Sequence, residues 1–166
     1  MFKHLLVPTD GSELSNRAIA LAMRLSIQHG AKVTGLHVIP EFRILTYRAD
    51  MLDVEEDYLR VAAQRADGYL NIVADAARQA NVACDTVCIT HTPPHEAIVT
   101  AAEQRSCDLI VMASHGRGGV RALLIGSETF KVLTHSRIPV LVIRPTAQSY
   151  PELHGSECKV SSTAPS

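Results

Sequence analysis

The chain has 166 residues, enough for one domain with a single substantial core. Its content is 46% hydrophobic and 20% charged, as in a soluble globular protein, and its net charge of −1 with both signs scattered gives no basic footprint for nucleic acid or an anionic membrane. No apolar run approaches the roughly 20 residues that span a bilayer, and the N-terminus enters a strand-like run with no secretory signal, so a cytoplasmic location is predicted.

Two periodicities alternate along the chain. Phe2 to Val7 is a short apolar run broken by Pro8-Thr9-Asp10-Gly11-Ser12. Leu14, Ala18, Leu21, Ala22 and Leu25 then mark an amphipathic helix with Ser12 as N-cap, Glu13 at its positive end and Gly30 as its stop. Lys32 to Val38 predicts a second strand, and residues 40 to 53 read as irregular. From about Asp53 a longer helix carries Val54, Tyr58, Val61, Ala62, Tyr69, Ile72, Val73, Ala76 and Ala77, with Asn81 to close it. Val82 to Ile89 predicts the third strand. Thr92-Pro93-Pro94 opens a helix with proline at its tolerated first position and Ala97, Ile98, Ala101 and Ala102 inward. Asp108 to Met112 predicts the fourth strand, Gly126 or Ser127 to His135 the last helix, and Val140 to Ile143 the fifth strand.

Strands alternating with helices predict a parallel sheet covered on both faces, in the α/β class. An open doubly wound sheet holds ligands where the strand order reverses, beyond the carboxyl ends of the strands. The two loops with unusual chemistry follow strands 1 and 4, and they line one cleft if those strands are neighbours. Residues 1–145 read as one domain, and 146–166 lose all periodicity and read as a flexible polar tail.

Four cysteines (Cys84, Cys88, Cys107, Cys158) form no C-x-x-C pair. Cys84 and Cys88 share one face of a strand and could be half of a metal site. Small buried hydrophobes fit better, because no second ligand pair has zinc-like spacing. The eight histidines contain no H-E-x-x-H. His91 and His95 read as surface.

The segment with most chemistry runs from Ala113 to Ser127. It is a glycine-bearing polar loop between the apolar run Leu109-Ile-Val-Met112 and a helix N-terminus. Glycines let backbone approach closely, and free N–H groups with the helix dipole favour an anion such as phosphate. No G-x-S-x-G or G-x-x-x-x-G-K-[ST] is present, and Gly116-x-Gly118 lacks the third Rossmann glycine in register. His115 is the one residue there that could act as a general base, but it has no placed partner carboxylate; a backbone-bonded structural histidine fits it better.

The chain resembles the universal stress protein family from Phe2 to about Pro145. The resemblance rests on Val7-Pro8-Thr9-Asp10-Gly11-Ser12, Leu36-His37-Val38, Ser114-His115-Gly116-Arg117-Gly118-Gly119, Gly126-Ser127 and Ile138-Pro139-Val140-Leu141-Val142-Ile143 in that order. It implies an open five-stranded sheet of order 3-2-1-4-5 and a homodimer through strand 5, where Val140, Leu141, Val142 and Ile143 would otherwise form an exposed edge.

Nucleotide-binding members of that family carry G-x2-G-x9-G-[ST]. Here its second glycine is Gly116, and nine residues later come Gly126 and Ser127; the first position is Ala113, a departure. Alanine is harmless there if the backbone is strand-like, and costs affinity if φ must be positive. The resemblance implies binding of ATP, or of ADP or AMP, with Mg²⁺ carried by the phosphates and by Asp10. Gly116, Gly126 and Ser127 would cradle phosphate, with Glu128 and Thr129 beside them. Arg117 or Arg121 could meet outer phosphates or remain solvated. Asp10 could accept from the adenosine or instead close an Asx-turn, Pro8 and Thr9 would shape the wall, Val38 would meet the base, and Met112, Ala113 and His115 would lie along the ligand. The implied role is in stress response, through nucleotide-dependent regulation with at most slow hydrolysis. Two other classes remain: an interaction module that has lost nucleotide, and an enzyme that hydrolyses or transfers nucleotide in the same cleft.

Overall fold

A computed structural model describes residues 1–41, 52–116 and 125–145, with 52–55 described by backbone alone. In chain order its elements are β1 (His4–Pro8), α1 (Glu13–His29), β2 (Lys32–Ile39), α2 (Leu52–Gln79), β3 (Cys84–Thr90), α3 (Pro94–Gln104), β4 (Leu109–Ala113), α4 (Ser127–His135) and β5 (Val140–Ile143). The five strands form one parallel sheet in the order β3-β2-β1-β4-β5, the expected order. The chain therefore winds outward from β1 to β3, returns to β4 beside β1, and winds out again to β5.

Alternation along the central strands divides the core in two. Leu5, Val7, Val33, Leu109 and Val111 point to one face and pack against Ala18, Ile19, Ala22 and Met23 of α1 and Val73 and Ala77 of α2. Leu6, Leu36, Ile110 and Met112 point to the other and meet Ile98, Ala101 and Ala102 of α3 and Val132 of α4. β4 is apolar throughout and β1 apolar after His4, because both their faces are covered.

The helix signals at α1 hold. Ser12 Oγ accepts from Ser15 N at 3.1 Å, and Gly30 is left-handed at φ 64 with its N–H on Ser26 O. The third strand starts two residues later than expected, because the chain spends Ala80 to Val82 closing α2: Val82 N donates to Ala77 O at 2.9 Å, and Asn81 has φ 53. Val61 and Ile72 lie on the exposed side of α2, and Ala66 and Leu70 join Val73 and Ala77 inside.

The expectation that the cysteines are buried fails for two of them. β3 is an edge strand, which leaves Cys84 half-buried and Cys88 exposed. Cys107 is buried, and that burial pushes its thiol up to about 11. Cys158, the predicted tail at 146–166 and most of the irregular stretch at 40–53 lie outside the described residues. No helix among the described residues is long and apolar enough to cross a membrane.

Candidate functional site

β1 and β4 are hydrogen-bonded neighbours, so the loops that follow them meet at the reversal of strand order. The first loop is braced from below. Thr9 is buried, its N–H donates to Leu36 O at 2.8 Å, and its hydroxyl bonds Ser15 Oγ at 3.1 Å and accepts from Gly11 N at 3.2 Å. Gly11 has φ +73, and a Cβ there would stand 2.2 Å from the Tyr69 ring, so this turn requires glycine on both counts.

Asp10 divides its two oxygens. Oδ1 accepts from Ser12 N at 3.1 Å, which makes the Asx-turn. Oδ2 faces the second loop: a Cβ on Gly116 would lie 2.6 Å from it. The local role and the site role are therefore compatible.

β4 ends at Ala113, which is buried and paired with Ile143. Among the described non-glycine residues positive φ occurs at Asn81 and Ser106, so Ala113 has ordinary strand dihedrals and its methyl is unstrained. Its carbonyl accepts from the buried Thr129 hydroxyl at 3.0 Å, which ties the first turn of α4 to β4. Ser114 O takes the Gly126 N–H at 2.7 Å and closes the base of the loop. Gly126 is the N-cap of α4, and no side chain among the described residues caps the helix. The Gly126 N–H is thus committed, and the first amides of α4 at 127–129 are the donors at its positive end. Ser127 is the first helical residue and exposed.

A cavity of about 250 Å³ lies between these loops. It brings together Pro8, Thr9, Asp10, Val38, Met112, Ala113, His115, Gly116, Glu128 and Thr129. Gly126 and Ser127 stand outside its lining, and Arg117 with Arg121 lies outside the described residues. His115 Nδ1 lies 3.1 Å from Ser114 Oγ.

Five wall residues escaped sequence reasoning: Ser15, Leu36, His37, Pro94 and Ile98. Leu36 and Ile98 sit on core periodicity and look like nothing else. His37 had a signal, a polar ring at the end of a buried strand. Its Nδ1–H donates to Thr9 O at 2.7 Å, and its ring meets Tyr69 edge-on at 5.2 Å.

His95 is not a surface residue as expected; it is 7% exposed. Its backbone N–H and ring Nδ1 both lie 3.0 Å from Glu128 Oε2, and Lys131 Nζ is 3.0 Å from Oε1. Burial pushes the Glu128 carboxyl up, but the bonds from Lys131 and His95 outweigh it and hold the group below the usual carboxylate range.

Over residues 1–144 the sequence matches the Universal stress protein family. The chain belongs to the universal stress protein family. This universal stress protein is 31% identical over 147 residues to the one in the QAH/OAS sulfhydrylase 3′ region of Thermus aquaticus, covering 87% of this chain and 100% of that one. It is 28% identical, with a TM-score of 0.71, to the solved structure of MJ0577 from Methanocaldococcus jannaschii, covering 89% and 99% of the two chains. A universal stress protein solved in complex with cAMP shares its fold at 24% identity and a TM-score of 0.64, over 86% of this chain and 97% of that one.

Proposed function

We propose that the cleft between β1 and β4 binds an adenine nucleotide (ATP, ADP or AMP) and that this universal stress protein acts in stress response by nucleotide-dependent regulation. The observation that carries the reading is that Asp10 Oδ2 fills the space where a side chain at residue 116 would stand, beside the cavity. It sets a hydrogen-bond acceptor beside a Cβ-free backbone, next to apolar walls from Val38, Ile98 and Met112. Those walls suit a base, the carboxylate suits ribose hydroxyls, and the uncapped amides of α4 with the Gly116 backbone suit phosphate. A relative of the same fold was solved in complex with cAMP, which supports an adenine nucleotide as the ligand of this cleft.

Among the described residues no cluster of three or more His, Cys, Asp or Glu side chains gathers to hold a metal. Mg²⁺ would therefore be carried by phosphate oxygens and water, the way it is held beside nucleotides, while Asp10 faces the ribose. Of the two carboxylates on the wall, Glu128 is held by His95 and Lys131, and Asp10 by its turn. These commitments favour binding with at most slow hydrolysis. A cytoplasmic homodimer formed through β5 belongs to the same proposal.

Calorimetric titration with ATP and Mg²⁺, after removal of co-purified nucleotide, tests it. Saturable binding that is lost in Gly116→Val, whose Cβ would stand 2.6 Å from Asp10 Oδ2, is the expected result. No heat and no thermal shift at millimolar ATP would overturn it.

A further inference from the structure

A second groove of about 710 Å³ opens beside the cleft on the α2 side. Asp10, His37 and Val38 line both spaces, so the two adjoin at these residues. Nothing from α3, β4 or α4 lines the groove, although those elements wall the first cavity. A group entering the groove must therefore leave a bound nucleotide from the side of Asp10 and not from the phosphate end at α4.

The far wall is one face of α2. Tyr58, Ala62, Arg65 and Tyr69 recur at i, i+4, i+7 and i+11, and all four line the groove. This stripe is distinct from the core stripe of Ala66, Leu70, Val73 and Ala77. Both tyrosines are anchored: the Tyr58 hydroxyl donates to Pro40 O at 3.2 Å, and Tyr69 packs on His37. Arg65 is exposed and pairs with no carboxylate among the described residues, while Asp57 is engaged by Arg60 at 2.9 Å. A guanidinium that shares one helix face with two anchored phenol rings is suited to a phosphate beside a stacked base.

We propose that, on the reading that the first cavity takes an adenosine, this groove is a subsite for a second nucleoside monophosphate joined through the first ribose. The full ligand is then a 3′→5′-linked dinucleotide. Asp10, which would meet the first ribose, marks the junction, and Arg65 would supply the cation for the linking phosphate.

The test compares AMP with 5′-phosphoadenylyl-(3′→5′)-adenosine by calorimetry on the full chain and on Arg65→Gln and Tyr58→Leu. One stacked base and one guanidinium contact predict that the dinucleotide binds about tenfold tighter than AMP. The ratio of the two affinities falls toward one in both variants. If AMP binds and the wild-type ratio is one or less, or a tenfold ratio survives both substitutions, the subsite is wrong and the nucleotide reading stands. If neither compound binds while ATP does, the subsite is wrong and the nucleotide reading stands; if ATP also fails to bind, both readings fail.

Discussion

Glu128 caps a helix that is not its own. From the first turn of α4 its carboxylate accepts both the backbone N–H and the ring Nδ1–H of His95, on the first turn of α3, each at 3.0 Å. The N-cap of α3 is Pro93, which supplies no side-chain acceptor, so Glu128 fills that role from across the cleft and adds negative charge where the dipole favours it. Thr129 and Gly126 anchor the same turn to β4 and its loop. The amides proposed to meet phosphate are thereby fixed before any ligand arrives.

Glu128→Ala should therefore cost about 1–2 kcal/mol of stability in urea and also weaken ATP binding. His95→Ala keeps the backbone donor and should cost less. The pH dependence has a definite direction. Because the folded carboxyl lies below its unfolded value, its contribution is present above about pH 4.3 and is lost as pH falls through the folded value. Urea midpoints measured from about pH 6 down to pH 3 should fall more steeply for wild type than for Glu128→Gln; equal slopes would refute the assignment.

The alternation of strands and helices was legible because its signals are local: apolar runs at β1 and β4, a serine cap and a glycine stop at α1, and proline at the start of α3; the order of the strands in the sheet came from the family resemblance. The loops of the cleft were legible for the same reason, since Asp10 and Gly116 lie in short polar breaks after apolar runs. What stayed hidden depends on pairs far apart in sequence. His95 looks solvated until Glu128, 33 residues on, is placed against it. Cys88 looks like strand interior until β3 is known to be an edge. His37 and the α2 stripe read as strand end and helix surface, and only the return of α2 over the sheet turns them into walls.

Ala113→Gly separates a strained site from a strand position. If alanine crowded the ligand or needed positive φ, glycine would raise affinity for ATP. Ala113 is a buried strand residue without positive φ. The substitution should leave ATP affinity within about twofold and lower stability by about 0.5–1 kcal/mol through added backbone freedom. A tenfold gain in affinity would show that the methyl obstructs the pocket.

His4 predicts a second pH dependence, at the opposite end of the sheet from the cleft. It is 5% exposed; its Nδ1–H donates to Arg105 O at 3.0 Å, and its Nε2 lies 2.8 Å from the Thr34 hydroxyl. Burial, reinforced by Lys32, lowers its pKa from the usual value, against smaller opposing effects from the Arg105 carbonyl, Asp108 and Asp85. The unfolded chain then takes up the proton first. Stability from this group is complete above about pH 6.5 and declines as pH falls below it. Urea unfolding at about pH 7.5 and 5.5 should show a loss in wild type that is smaller in His4→Gln. The same loss in both would place its origin elsewhere.

The proposed dimer is testable at single-atom resolution on β5. Pro139 O and Ile143 O accept from Ile110 N and Ser114 N, so in this parallel pairing the polar groups of 139, 141 and 143 face β4. By alternation, the N–H and C=O of Val140 and Val142 face outward, where a second copy would pair. Val142→Pro removes an outward N–H and leaves the β4 ladder intact, which is the position in an edge strand where proline is tolerated. Light scattering should therefore report a dimer for wild type and a monomer for Val142→Pro, with the far-ultraviolet circular dichroism of the two alike. A Val142→Pro protein that stays dimeric would move the interface away from this edge, and one that unfolds would mean that the outward direction was assigned to the wrong residues.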